Sequence, residues 1–131
     1  MELVGAVIER AYTTMVHVLK TWADNEGTAP WHALKRGEKT FELRSEADRS
    51  FRSGDFLILC GWDAAAAAWW LEAPLVFRVG YVLRGRCPFP GLEEGYAILS
   101  LKRCDSDATE LAMTMALDRG LIAPGQPFFT H

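Results

Sequence analysis

The sequence contains few of the residues that bind metals or form disulfides, and no long apolar run. Of its 131 residues, only three are cysteines and three are histidines. Cys60, Cys87 and Cys104 are odd in number and form no C-x-x-C pair, so the pattern predicts neither a disulfide framework nor a zinc site. No apolar run is long enough to span a bilayer, and no secretory signal is evident. These absences favour a cytoplasmic protein with reduced thiols, no bound metal and no cofactor.

The sequence also has no excess of basic over acidic residues. The net charge of −3 argues against a protein that coats duplex DNA through many phosphate contacts. The charge is unevenly distributed, however. Residues 35–52 contain six Lys/Arg against four Asp/Glu, a balance of +2, whereas residues 105–131 contain one Arg against four acids, a balance of −3. A local basic patch within residues 35–52 is therefore compatible with the acidic whole.

The hydrophobic pattern predicts one α+β domain. Half of the residues are hydrophobic, and the length is sufficient for one core. Apolar runs and alternation predict strands at 15–19, 40–44, 56–60, 75–83 and 96–102, and helical spacing predicts helices near 3–11, 30–36 and 105–119. We expect Leu111, Met115 and Leu117 on the buried side of the last helix. The predicted organisation is an N-terminal helix extension (1–14), a strand-rich domain (15–104) and a C-terminal helix and tail (105–131).

The segment 37–44 carries the densest group of candidate functional residues. Gly37 is predicted to end a helix, and residues 40–44 alternate between polar and apolar. If Phe41 and Leu43 face the core, Glu42 and Arg44 lie side by side on the open face, with Lys39 near the start of the strand. Held on a rigid strand, these charges could be positioned accurately. The alternative interpretation is a solvated, weakly interacting pair on an edge strand.

The same segment fits the G-x-K-x-x-E-x-R signature of the ASCH domains, a branch of the PUA-like superfamily. The chain further resembles a small family of unknown function from phages and bacteria, whose motifs are H-x-L-K, G-x-K-x-F-E-x-R, D-R-x-F, G-D-x-L and G-L-x-x-G-Y. Here they occur in that order at residues 17–20, 37–44, 48–51, 54–57 and 91–96. The resemblance covers roughly residues 15–103. It implies a PUA-like mixed β-barrel of about five or six strands with flanking helices, and a cleft beside the helix after the first strand.

The resemblance and the charges together predict a domain that binds single-stranded RNA or a nucleotide-like ligand. Lys39 and Arg44 would contact phosphates or base edges, and Glu42 could accept a hydrogen bond from a base amino group. The candidate ligand-binding residues are His17, Lys20, Lys39, Glu42, Arg44 and Arg49.

Two alternatives remain open at this stage. Some ASCH relatives resemble amidohydrolases that remove an acyl group from a modified cytidine, and others resemble ribonucleases; in such an enzyme Lys39, Glu42 and Glu94 are the candidate catalytic residues. The other alternative is a protein-interaction module, in which the terminal helices bind a protein partner or form a homodimer. The adjacent Trp69 and Trp70 are predicted to pack or to form a contact surface, and would stack on a base only if they lie beside the cleft.

Overall fold

The computed structural model describes residues 13–85 and 90–123, and these form one six-stranded mixed sheet with two helices. The strands are β1 (Val16–Ala23), β2 (Phe41–Ser45), β3 (Phe56–Asp63), β4 (Ala68–Trp69), β5 (Leu75–Arg84) and β6 (Tyr96–Arg103); the helices are α1 (Pro30–Arg36) and α2 (Ser106–Asp118). The predicted α+β class and strand number are confirmed. The predicted helix near 3–11 and the tail after residue 123 lie outside the described residues. No helix within the described ranges is long and apolar enough to cross a membrane.

The sheet curls into a half-barrel whose two edge strands approach each other. The strand order is β1-β3-β5-β6-β2, with β4 paired to β3. The β1–β3 pair is parallel and all the other pairs are antiparallel. Although β1 and β2 stand at opposite ends of this order, Nη2 of Arg44 on β2 donates a hydrogen bond to the carbonyl oxygen of Lys20 on β1 at 3.0 Å. We call the gap between β1 and β2 the seam.

Hydrophobic cores cover both faces of the sheet, and β3 contributes to both. Leu57 and Leu59 belong to the inner core, whereas Ile58 belongs to the outer core beneath α2. This arrangement explains why β3 is apolar at successive positions. Helix α2 packs on the sheet through Ala112 and Ala116, which are fully buried.

The expectation that Leu111 and Leu117 form the buried side of α2 is wrong. Both side chains are exposed, and Met115 packs only partly against the outer core. The alanines at 112 and 116 allow the helix backbone to approach the sheet, and the longer leucines therefore lie on the flanks of the contact. Asp105 caps the N-terminus of α2, since its carboxylate accepts a hydrogen bond from the backbone N–H of Ala108.

The turn between β3 and β4 carries backbone strain at Ala67, whose φ is 52°. The left-handed region is unfavourable for a residue with a Cβ atom but not for glycine. We expect Ala67→Gly to raise the free energy of unfolding by about 0.5–1 kcal/mol. Ala66→Gly, in the same turn but without a positive φ, should lower it slightly. Urea denaturation followed by tryptophan fluorescence measures the free energy of unfolding of both variants. Equal destabilisation by the two variants would mean that Ala67 carries no backbone strain.

Candidate ligand-binding cleft

Strand β2 turns its charged residues inward and its apolar residues outward. Glu42 pairs with Leu99 of β6, which is fully buried in the inner core, and directly opposed residues share a face of the sheet. Phe41 and Leu43 are 46% and 52% exposed. The arrangement considered from the sequence, with these two side chains facing the core, is therefore not the one in the structure. The alternation was correct, but the register with β6 assigns the inner face to Glu42 and Arg44.

The Glu42 carboxylate is held between two cations. Only 5% of its side chain is exposed, compared with 20% for Lys39 and 23% for Arg44. Lys39 Nζ lies 3.2 Å from Oε2 of Glu42, and Arg44 Nε lies 3.1 Å from Oε1. Lys39 Nζ also donates to the carbonyl oxygen of Phe41 at 2.8 Å. Each carboxylate oxygen thus has its own cationic donor, which offsets the cost of burying the charge.

These three residues lie in a cavity of about 430 Å³ that opens along the seam, here called the seam cavity. Glu42 and Thr21 are its most buried residues, whereas Trp22 and Phe41 are exposed at its rim. The complete lining is Lys20, Thr21, Trp22, Pro30, Lys39, Phe41, Glu42, Leu43 and Arg44. A polar interior with an apolar rim suits a flat ligand that has a polar edge.

The charged residues of the seam cavity retain capacity for further hydrogen bonds. A carboxylate has about four acceptor positions, and Lys39 and Arg44 occupy two of those on Glu42. Lys39 uses two of its three donors within the described residues. Nη1 of Arg44 makes no hydrogen bond to any described residue, because its contacts there use Nε and Nη2. The cavity therefore offers acceptor positions flanked on both sides by donors.

The predicted ligand residue Lys20 bonds to Arg44 through its backbone carbonyl oxygen and not through its charged side chain. Its carbonyl oxygen accepts the hydrogen bond from Arg44, while its Nζ lies 4.5 Å from the centre of the Trp62 ring. The sequence interpretation missed Thr21 and Trp22 because it ended the first strand at residue 19. A signal was present in the sequence, since Thr21 and Trp22 are β-branched and aromatic residue types that favour strands, and the strand does continue to Ala23.

His17 and Arg49 do not line the seam cavity. His17 is buried, with Nε2 2.9 Å from Oδ2 of Asp55 and its ring 4.6 Å from that of Phe51. Burial lowers the pKa of His17, and the hydrogen bond and charge of Asp55 oppose that shift only in part. His17 and Arg49 instead line a separate cavity further along β1.

Glu94 also lies away from Lys39. Tyr96 pairs with Ser45, so the loop that carries Glu94 adjoins the carboxyl end of β2. Lys39 precedes the opposite end of that strand, and Glu94 is not part of the lining of the seam cavity. The structure thus brings together Lys39, Glu42 and Arg44 but not Glu94.

The two adjacent tryptophans pack against other aromatic rings. Trp70 lies 6.3 Å from the ring of Trp31 and 5.1 Å from that of His32, and Trp69 lies 5.1 Å from the ring of Trp62. Neither of them lines the seam cavity. The packing interpretation of Trp69 and Trp70 is therefore the one that the contacts favour.

Among the described residues, no cysteine lines the seam cavity and no cluster of metal-binding side chains is found. Burial raises the pKa of the Cys60 thiol to about 12, so that it stays protonated at neutral pH. Within residues 13–85 and 90–123, no three His, Cys, Asp or Glu side chains come together as a metal site. Nζ of Lys39 is engaged by the Phe41 carbonyl oxygen and by the Glu42 carboxylate.

Comparison with known proteins identifies a family for this chain. The family model described as a domain of unknown function (DUF3850) matches residues 16–101, which include all six strands except the last two residues of β6. Neither the search of curated proteins nor that of solved structures gave a match.

Proposed function

This chain belongs to the DUF3850 family of domains of unknown function, and we propose that its seam cavity binds a base of single-stranded RNA or of a free nucleotide. The observation that carries the proposal is the buried Glu42 carboxylate, fixed between Lys39 and Arg44 within an open cavity. A carboxylate paired in this way is an acceptor of defined position and direction. Such an acceptor, with donors beside it, reads the edge of a base rather than a phosphate alone.

The donors and acceptors favour a base that carries an exocyclic amino group next to a ring acceptor. Glu42 would accept from the amino group, as acidic side chains do from cytosine N4. The free donors of Lys39 and Arg44 would bond to the adjacent ring nitrogen or carbonyl oxygen. Cytosine and adenine meet this requirement, whereas uracil presents a carbonyl oxygen where the amino group is needed.

The rim of the seam cavity supports the same proposal. Trp22 and Phe41 are exposed there, and aromatic side chains stack on unpaired bases without regard to sequence. The net charge of −3 fits recognition of one or a few nucleotides and does not favour an extended duplex, for which many phosphate contacts are needed.

We further propose that the half-barrel is a PUA-like domain of the ASCH branch. The support is the G-x-K-x-x-E-x-R segment, whose Lys39, Glu42 and Arg44 meet in one cavity beside the helix that follows the first strand. The hydrolase alternative has less support, because the carboxylate expected at Glu94 is remote from Lys39. For the interaction alternative, α2 already uses its alanine face to cover the sheet, and the predicted N-terminal helix falls on residues outside the described ranges.

Cytidine and uridine form a matched pair of ligands that tests the proposal. We expect cytidine to shift the backbone amide signals of residues 20–22 and 39–44 in NMR titrations, and to bind at least tenfold more tightly than uridine, since one bond to a buried charged group is worth about 1.5–3 kcal/mol. Arg44→Met should weaken cytidine binding about tenfold or more. Lys102→Met removes one exposed charge outside the cavity and serves as the control.

The same titration with a short single-stranded RNA separates base recognition from phosphate binding. If Arg44 reads a base, Arg44→Met lowers affinity and leaves the dependence of log Kd on log salt unchanged; loss of a phosphate contact would reduce the slope by about 0.7. Acylated cytidine in the same series tests the hydrolase alternative, because turnover would release free cytidine. Equal binding of cytidine and uridine, or shifts that avoid residues 39–44, would refute the proposed site.

A further inference from the structure

A second cavity, of about 580 Å³, lies where β1 begins and α2 ends. We call it the arginine cavity. It is bounded by the start of β1, by the turn that follows β2 and by the segment that leaves α2. Its lining is Met15, Val16, His17, Asp48, Arg49, Ser50, Arg52, Arg119 and Leu121. None of these residues belongs to the lining of the seam cavity.

The lining of the arginine cavity is strongly basic. It contains three arginines and one carboxylate, a balance of +2 within a chain whose net charge is −3. That carboxylate, Asp48, is 75% exposed and lies 3.6 Å from Nε of Arg49, which is a weak, solvated pairing. Arg119 donates one hydrogen bond through Nη1 to the carbonyl oxygen of Thr14. Guanidinium groups collected on one concave surface are the usual means of binding phosphate.

His17 adds a buried polar group to this basic surface. Its Nε2 is engaged by the fully buried carboxylate of Asp55, which fixes the orientation of the ring. Nδ1 of His17 makes no hydrogen bond to any described residue, although the ring lines the cavity. Ser50 contributes a hydroxyl to the same lining. The arginines and the Ser50 hydroxyl can donate to phosphate oxygens, whereas Nδ1 of a neutral His17 is an acceptor and suits a hydroxyl next to the phosphate.

From this geometry we infer that the arginine cavity is a second ligand site, which binds a phosphate group through Arg49, Arg52 and Arg119. The group can belong to a free phosphate or nucleotide, or to the backbone of a single-stranded RNA. The second source is geometrically accessible, because both cavities border β1. His17 and Thr21 are four residues apart on that strand, which corresponds to about 13 Å. The inference rests only on the residues of the arginine cavity and does not require that the seam cavity bind a base.

The test uses the full chain with inorganic phosphate, adenosine 5′-monophosphate, adenosine and a short single-stranded RNA. We expect phosphate and the monophosphate to shift the amide signals of residues 48–52 and the ring signals of His17, at constant ionic strength set with chloride. Adenosine, which has no phosphate, should leave these signals unchanged. Arg49→Met should weaken phosphate binding about tenfold, because it removes one charge-assisted contact. Lys102→Met is again the control.

The outcomes separate the two phosphate sources and the two sites. If RNA shifts both cavities with one affinity that Arg49→Met and Arg44→Met each lower, the phosphate belongs to an RNA backbone. If only phosphate and the monophosphate shift amide signals, and only those of residues 48–52, the bound phosphate group belongs to a small molecule. The absence of saturable shifts at residues 48–52 with every probe, or equal binding by Arg49→Met and Lys102→Met, would overturn the inference. Because residues 39–44 report on the seam cavity in the same spectra, failure of either site is visible on its own.

Discussion

Replacing Asp55 with alanine is expected to lower the free energy of unfolding by about 3–5 kcal/mol. Asp55 is fully buried, and its carboxylate accepts hydrogen bonds from at least three donors. Three of them are the backbone N–H groups of Met15 and Arg52 and Nε2 of His17. Alanine would leave all three donors buried or half-buried without an acceptor, at about 1–3 kcal/mol each before relaxation. Urea denaturation followed by tryptophan fluorescence measures the loss.

Two further variants make this expectation specific. Asp48→Ala removes an exposed carboxylate from the same turn, and should change stability by less than about 0.5 kcal/mol. Asp55→Asn should be intermediate, because the amide oxygen can still accept while the amide nitrogen cannot. A loss below about 1 kcal/mol for Asp55→Ala would mean that water replaces the carboxylate as the acceptor for these donors.

Simultaneous removal of Lys39 and Arg44 is the second change for which we expect a large effect. Each single replacement by methionine should cost about 1 kcal/mol, because the remaining cation still faces the Glu42 carboxylate and both cations are partly hydrated. The double variant leaves a buried carboxylate with no cation, and a loss of about 3–5 kcal/mol is expected. The double-mutant cycle should therefore be more than additive.

Glu42→Gln in the double-variant background is the matched control. It keeps the size of the side chain but removes the unpaired charge, so it should restore much of the lost stability. The same substitution in the wild-type chain leaves two cations together and should not stabilise. Two outcomes would contradict this expectation: the double variant loses no more stability than the sum of the two single losses, within about 0.5 kcal/mol, or Glu42→Gln does not restore stability to it. Either would mean that the carboxylate is solvated and does not depend on its cations.

Much of the fold could be predicted because its signals are local. Helix α1 begins at Pro30 and is closed by Gly37, whose φ of 83° lies in the left-handed region that a glycine cap uses. The apolar run from Phe56 predicted a strand buried on both faces, and β3 has cores on both sides. In each case the residues that carry the signal lie within the element itself or next to it.

The candidate site was predicted as a group of residues but not as a geometry. Alternation shows that Phe41 and Glu42 lie on opposite faces of β2, yet it does not show which face is inside. That choice depends on the pairing of Glu42 with Leu99, which are far apart in the sequence. The buried pair of His17 and Asp55 joins residues 38 positions apart and likewise leaves no local signal.

The closure of the seam by Arg44 also bears on self-association. The edges of a sheet carry unpaired backbone groups, and an exposed edge invites strand exchange with another copy of the chain. In the described part of the chain, β1 and β2 stand at the two ends of the main strand order, and the Arg44 side chain joins them by bonding to the Lys20 carbonyl oxygen. A charged side chain thus occupies a backbone acceptor to which a foreign strand would bond. We therefore expect Arg44, the residue proposed to recognise a base, to hinder edge-to-edge association as well.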